Sequence, residues 1–389
     1  MGRLHTTLTL YESNRRVPDR LITEPVSLSP QRETHMETTA TPREAHRHTA
    51  VGADDGTNPT TDQENTMRAI TQYEYGAPRD VLELQEIEKP TVGDDDVLVR
   101  VQAVGIHIGD WLVTSGTPYL IRLMGYGLRK PKTNVPGTEL AGNVEAVGKN
   151  VKQFQQGDEV LGFGTGGFAE YASISQDALV LKPSNITFEQ AAAVPISAFT
   201  ALQAIRDQAK VQRGQKVLII GASGGVGTYA VQIAKAYGAD VTGVCSTRNV
   251  DMVRSIGADY VIDYTQENIT ESGQRYDVIL DMAGNRSLSE LRSALTPDGT
   301  LVIVGGSGGR WLMGYGRTLR AVAVSPFVSQ NLRQFMSTTN KEDLVVLKEL
   351  IEDGKVTPVV DRTFPLRETP DALDYVGQRH TQGKTVVTV

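Results

Sequence analysis

The sequence predicts an α/β protein of 389 residues, in which a doubly wound parallel sheet is joined to a smaller, β-rich, barrel-like domain. Three observations carry this expectation. An apolar strand runs into the glycine-rich turn Gly221-Ala-Ser-Gly-Gly-Val-Gly227 and continues directly into an apolar helix. Short strands and helices then alternate as far as about 306, as a parallel sheet covered on both faces requires. Upstream, between 67 and about 185, short strands are separated by glycine turns instead.

Taken in order, the first 66 residues hold 13 threonines, four of the six histidines, ten acids and no Phe or Trp. Nothing in them repeats at helix or strand period, so they read as a disordered extension. They lack the apolar core of a secretory signal and are too acidic for a transit peptide; a true start at Met67 is one explanation for them. Regular structure is expected from Met67-Arg-Ala-Ile-Thr. Residues 97–104 alternate well and 142–148 partly, with turns at Gly157-Asp158 and across 164–167 before 168–172.

The strand Lys216–Ile220 opens the nucleotide-type unit. Gly221, Gly224 and Gly227 sit where a tight turn, a close backbone approach and close helix–strand packing need no side chain, a combination suited to a pyrophosphate. Ala222 stands in for the first glycine of the usual pattern. Asp240–Cys245, 259–264, 276–282 and 300–306 read as further strands, and 288–295 as a helix stopped by Pro297-Asp-Gly299. Ligands of such sheets lie beyond the carboxyl ends of the strands, which places Gly284, Gly305 and Gly306 near the cofactor. The tail carries a helix over Lys341–Glu352 and a last strand from Lys384. It is expected to return to the β-rich domain, giving a catalytic domain of 67–188 plus 325–389 around a nucleotide domain of 189–324.

The end of the second strand of this unit bears on the nucleotide. Ser246-Thr-Arg248 follows it, and the acid that would hold a ribose 2′-hydroxyl is missing there. A hydroxyl and a guanidinium suit a 2′-phosphate, so NADPH is the expected cofactor. Composition narrows the setting. With 46 Asp+Glu against 39 Lys+Arg and no basic–aromatic stretch, no nucleic-acid partner is expected. Cys245 is the only cysteine, which precludes a disulfide within the chain and fits a reducing cytoplasm. No apolar run approaches the roughly 18 residues of a membrane span.

These motifs, together with Gly157-Asp-Glu-Val160, Ala191-Ala-Ala-Val-Pro-Ile-Ser-Ala-Phe-Thr-Ala201, Ile262-Asp-Tyr264 and His380-Thr-Gln-Gly-Lys384, resemble the medium-chain dehydrogenase/reductase superfamily. Within it the chain is similar to the zinc-free, quinone-oxidoreductase-like branch of the reticulon-4-interacting-protein type. The resemblance covers 67–389 and implies a GroES-like catalytic domain beside a Rossmann domain, with the active site in the cleft between them. It also implies that Ser223, Gly225 and Val226 belong to the pyrophosphate loop, and that Ser246, Arg248 and Tyr264 surround the 2′-phosphate. Thr200 would face the nicotinamide and His380 would touch the cofactor.

Zinc-dependent relatives carry Gly-x-Cys-x-x-Asp and Gly-His-Glu where this chain has Gly105-Ile-His107-Ile-Gly-Asp110 and Gly137-Thr138-Glu139. His107 and Glu139 fall short of the three ligands a catalytic zinc needs, so no metal is expected. Without a Lewis acid, reduction of an electrophilic acceptor is the chemistry implied. A quinone leads; an enone or 2-alkenal C=C bond, or a non-catalytic NADPH-binding role, are the alternatives. His107, which replaces an Asn common in this branch, is a candidate donor to the acceptor oxygen. Asp110 is a candidate to orient it, and Tyr119 a candidate proton donor. Each has a plain structural alternative: His107 as a satisfied buried residue, Asp110 as a cap, Tyr119 as packing. The apolar segments 119–128 and 311–319 are open between a hydrophobic mouth or lid and, for the second, a part in dimerisation; a strand near 320–324 is read as the contact of a homodimer.

Overall fold

Alternating and bulged strands build the barrel-like part of the chain. The computed structural model describes residues 65–389 apart from 272, 306–319 and 322. The extension read as disordered (but for its last two residues), Gly306 and the apolar segment 311–319 therefore lie outside the described residues. β1 (Thr66–Gln72) and β2 (Leu82–Glu88) form an antiparallel pair. β3 (Asp96–Ile106), β4 (Glu139–Val147), β5 (Glu159–Phe163), β6 (Tyr171–Ser175) and β7 (Leu179–Leu181) supply most of the larger antiparallel sheet. Register shifts at Leu98/Val99 and Val101/Ala103 bend β3. Its first half can then pair with β6 while its second half pairs elsewhere, a common use of bulges.

Continuous apolar runs build the other sheet, because strands covered on both faces need no polar side. β8 (Lys216–Ile220), β9 (Asp240–Cys245), β10 (Tyr260–Asp263), β11 (Tyr276–Asp281), β12 (Leu295–Ile303) and β13 (Asn331–Gln334) are all parallel. Their order is β10-β9-β8-β11-β12-β13, the doubly wound arrangement with its reversal between β8 and β11. Because β13 belongs here, the parallel sheet keeps the chain through Gln334, past the boundary expected at 324. β14 (Val360–Pro365) and β15 (Lys384–Thr388) then rejoin the antiparallel sheet, β15 pairing with the second half of β3.

Arg320, Ala321, Ala323 and Val324 are helical, which corrects the strand expected there; five alternating residues are too few to separate the two periods. The helix Lys341–Glu352 is the one expected, capped by Asn340, whose Oδ1 accepts from the Asp343 N–H at 2.8 Å. One continuous core runs from Ala103, Ala141 and Val386 of the antiparallel sheet to Val217, Ile219 and Val278 of the parallel one. The helix Pro195–Gln203 lies across this junction, with Pro at its first position.

Candidate active site

The carboxyl ends of β8, β11 and β12 open onto a cleft of about 1400 Å³ whose other wall comes from β3, β4 and the segments between them. On the nucleotide side Val226 lines the cleft, next to a turn that is mostly backbone. Gly221 takes φ 85°, a left-handed conformation that favours glycine. A Cβ on Gly227 would stand 2.0 Å from the Gly221 carbonyl oxygen, so only glycine lets the helix Gly225–Ala236 pack this close to β8. At Gly224, by contrast, a Cβ would meet only that same oxygen, at 3.5 Å. The first N–H groups of the helix have no intrahelical acceptor, so the loop fits a pyrophosphate.

Around the loop, Asn249 acts as a hub that sequence reading missed. Its side-chain amide donates to Ser223 Oγ at 2.9 Å and Ser246 Oγ at 3.3 Å, and its oxygen accepts from Gln382 at 2.5 Å. Gly383 N–H donates to the Ser223 carbonyl at 2.8 Å. The segment 380–384 is thereby fastened to the loop. Arg248 donates to the carbonyl of His380 at 2.7 Å, so His380 enters through its backbone while its side chain is exposed. Tyr264 is half exposed beyond β10, its N–H bonded to the Cys245 carbonyl at 3.0 Å. Asp263 brings a carboxylate near, but Thr247 and Thr265 hydroxyls occupy its two oxygens at 2.6 and 2.7 Å.

On the barrel side the wall is made of side chains. His107 caps the helix Ile108–Ser115: its Nδ1 accepts from the Gly109 N–H at 2.8 Å. That fixes the neutral tautomer with hydrogen on Nε2, which donates to Thr138 Oγ1 at 2.9 Å. Thr138 in turn donates to Asp110 Oδ1 at 3.0 Å, and Asp110 Oδ2 accepts the His107 backbone N–H at 2.9 Å. Burial pushes His107 down to about 4, helped by Lys384 and opposed by Glu139. Burial likewise pushes Asp110 up to about 6, against the His107 N–H, the Thr138 hydroxyl and Lys384. The pair sits ready-satisfied, with 19% of the His107 side chain and 2% of the Asp110 side chain exposed.

Beneath them lies a buried ion pair. Lys384 Nζ contacts Glu139 Oε1, and the second Glu139 oxygen accepts the Ile196 N–H at 2.9 Å. This pair joins β4, β15 and the start of the helix Pro195–Gln203. Thr200 lines the cleft, its hydroxyl within 2.8 Å of the Ile196 carbonyl and 2.9 Å of Ser337 Oγ.

Of the predicted site residues, the structure brings His107, Asp110, Thr200, Val226 and Gly305 to the cleft lining; Gly221, Ser223, Gly224, Gly225, Gly227, Ser246, Arg248, Tyr264, His380, Tyr119 and Gly284 are not on it. Tyr119 does not line it; the Arg122 guanidinium lies 5.0 Å from its ring centroid and 39% of the residue is exposed. Tyr126 of the same segment lines the cleft instead. Gly284 is buried at φ 68° with its N–H on Asp281 Oδ1 at 2.9 Å, off the cleft lining.

Residues 93–184 match the family described as alcohol dehydrogenase GroES-like domain, and 256–387 the one described as zinc-binding dehydrogenase. A quinone oxidoreductase of Sus scrofa is 34% identical over 339 residues, covering 82% of this chain and 97% of its own. The chain belongs to the medium-chain dehydrogenase/reductase superfamily. A chloroplastic NADPH-dependent alkenal/one oxidoreductase of Arabidopsis thaliana is 33% identical over 82% of this chain and 79% of its own. The Escherichia coli quinone oxidoreductase solved with NADPH superposes with a TM-score of 0.70 at 26% identity, covering 83% of this chain and all (100%) of that one.

For a medium-chain dehydrogenase/reductase, zinc is the metal to test against the donors present. At the cleft floor the donors are one imidazole, a neutral hydroxyl, the Asp110 carboxylate with both oxygens in hydrogen bonds to Thr138 and the His107 N–H, and the Glu139 carboxylate committed to Lys384. Both imidazole nitrogens are in hydrogen bonds, and Thr138 offers no charge to a cation. The set does not fit a tetrahedral zinc. Among the described residues no group of three His, Cys, Asp or Glu side chains comes together elsewhere either.

Proposed function

We propose that this oxidoreductase is an NADPH-dependent reductase of quinones that works without a metal. The observation that carries the reading is a cleft lined by Val226, from the helix that follows the glycine turn, together with the His107–Thr138–Asp110 network. The loop and helix start hold a pyrophosphate, while Ser246, Arg248 and Tyr264 take a 2′-phosphate. Arg248 is braced for this by the His380 carbonyl, which holds its guanidinium at 2.7 Å. Bound NADPH supplies the hydride.

The chain supplies position and a dry wall. Ile121, Phe163, Val226, Met282 and Val304 make the cleft mostly apolar, which suits a flat acceptor and excludes water. Thr138 is a polar point on that wall, and His107 and Asp110 hold it as positioning residues. The Thr138 proton is already given to Asp110 Oδ1, so the hydroquinone anion that forms, stable enough to be protonated by solvent, takes its proton from water. An enone is the second reading, favoured by the name of the Arabidopsis relative.

The test follows oxidation of NADPH and NADH by the full chain with matched quinones and enones, with and without a chelator. Turnover that survives the chelator and favours NADPH is expected, with Arg248→Ala cutting the NADPH preference about tenfold, the worth of one charge-assisted contact. Tight NADPH binding with no turnover on either panel would point to a binding role instead.

A further inference from the structure

The segment between the helix Ile108–Ser115 and β4 has chemistry that the reductase reading leaves unused. From 111 to 138 it contains no Asp or Glu but carries Arg122, Arg129, Lys130 and Lys132, in a chain of net charge −7. Its apolar side chains stand in water: Leu123 is 69% exposed, Leu128 65%, Tyr126 44% and Met124 41%. This exposure is held in place from beneath. Ile121 is buried, Arg122 donates to the Gly116 carbonyl at 2.8 Å, and its guanidinium lies 4.5 Å over the Tyr75 ring. Tyr75 Oη donates to the carbonyls of Tyr126 at 3.0 Å and Gly127 at 2.7 Å, and the Lys132 N–H reaches the Tyr126 carbonyl at 2.9 Å. Arg129, Lys130 and Lys132 are exposed and form no ion pair among the described residues.

A contiguous exposed apolar patch marks a surface that is covered in use. We propose that this segment docks on an anionic lipid bilayer, with Leu123, Tyr126 and Leu128 seated at the headgroup level and Arg129, Lys130 and Lys132 on lipid phosphates. Two features favour a bilayer over a protein. The apolar tip is four side chains of one short segment, and it is paired in sequence with three exposed cations. Reversible membrane anchoring takes such a pair of signals, shallow apolar insertion and a basic cluster. No helix among the described residues is long and apolar enough to cross a membrane, so docking would be peripheral. The inner side of the same segment, through Pro118, Ile121, Met124 and Tyr126, lines the cleft. An acceptor dissolved in the bilayer would meet the cleft mouth directly; that last step rests on the reductase reading, whereas docking does not.

The experiment sediments the full chain with vesicles of phosphatidylcholine alone or mixed equally with phosphatidylglycerol. Binding to the mixed vesicles only, weakened by salt, is expected. Arg129→Glu with Lys130→Glu should lower it by about fivefold or more per cation. Leu123→Ser with Leu128→Ser should lower it severalfold, while melting temperature and NADPH oxidation by a water-soluble acceptor stay unchanged. The proposal is overturned if the wild type stays in the supernatant with anionic vesicles, or if both double variants bind as well as it does. It also falls if the variants break up an oligomer in sedimentation velocity without altering vesicle binding. The salt titration needs no variant.

Discussion

The two walls of the cleft are made differently. The nucleotide wall adjoins a turn of backbone: Gly221, Gly224 and Gly227 shape it over seven residues, and its requirements are steric. The barrel wall is side chains: His107, Asp110 and Thr138 meet there over the Glu139–Lys384 pair, whose members are 245 positions apart in the chain. Substitutions in the first wall should act through space and be insensitive to pH. Those in the second should act through charge and protons.

The largest expected effect is on the barrel wall. Glu139→Gln leaves the Lys384 ammonium buried without its carboxylate, which should cost about 3–5 kcal/mol in urea unfolding at neutral pH. Adding Lys384→Met should restore part of the loss. A single variant within about 1 kcal/mol of wild type would mean that the wall is not held by charge.

Protons sharpen the contrast next. Folded Asp110 keeps its proton up to about 6 whereas the unfolded group loses it near 3.8, so its contribution to stability falls as pH climbs through that window. His107 works the other way: folded, it stays neutral down to about 4, while unfolded it is protonated below 6.5. Its contribution therefore rises with pH over the same range, and the two largely cancel in the wild type. Relative to wild type, Asp110→Asn should unmask a stability that rises between pH 4 and 6.5. His107→Asn should unmask one that falls between pH 4 and 6, each by up to about 3 kcal/mol. Denaturation midpoints measured across that range would show two slopes of opposite sign; parallel curves would remove the proton account of this wall.

The smallest effects separate two glycines of the nucleotide wall. Gly227→Ala forces a Cβ onto backbone and should cost about 1–3 kcal/mol at every pH. Gly224→Ala, at φ −82°, should change stability by under about 0.5 kcal/mol yet weaken NADPH in a fluorescence titration. Equal loss of stability in both would mean that Gly224 serves packing rather than the ligand.

Much of the nucleotide wall was legible because its signals are local. The run from β8 through the glycine turn needs particular residues at adjacent positions, and β9 and the helix Lys341–Glu352 announce themselves by period and cap. The barrel wall was half legible. His107 and Asp110 stood out by position, but the Gly109 N–H and the Thr138 hydroxyl decide the tautomer and the direction of the chain of hydrogen bonds. Asn249 gave no signal, and Gln382 and Lys384 stood out only as part of a motif, their roles hidden because their partners lie more than a hundred residues away. Tyr119 and Tyr126 looked alike in sequence. The Arg122 guanidinium and the turn at Gly125, with φ 105°, put only the second on the cleft.

The sequence by itself determined the parallel sheet, the phosphate loop and the place of the cleft, because strand burial and glycine geometry are set by neighbours in the chain. Only the tertiary structure decided which polar groups meet on the barrel side of the cleft and what holds them. A buried imidazole, carboxylate or ammonium is governed by the partners that replace its water, and here those partners arrive from β3, β4 and β15 together.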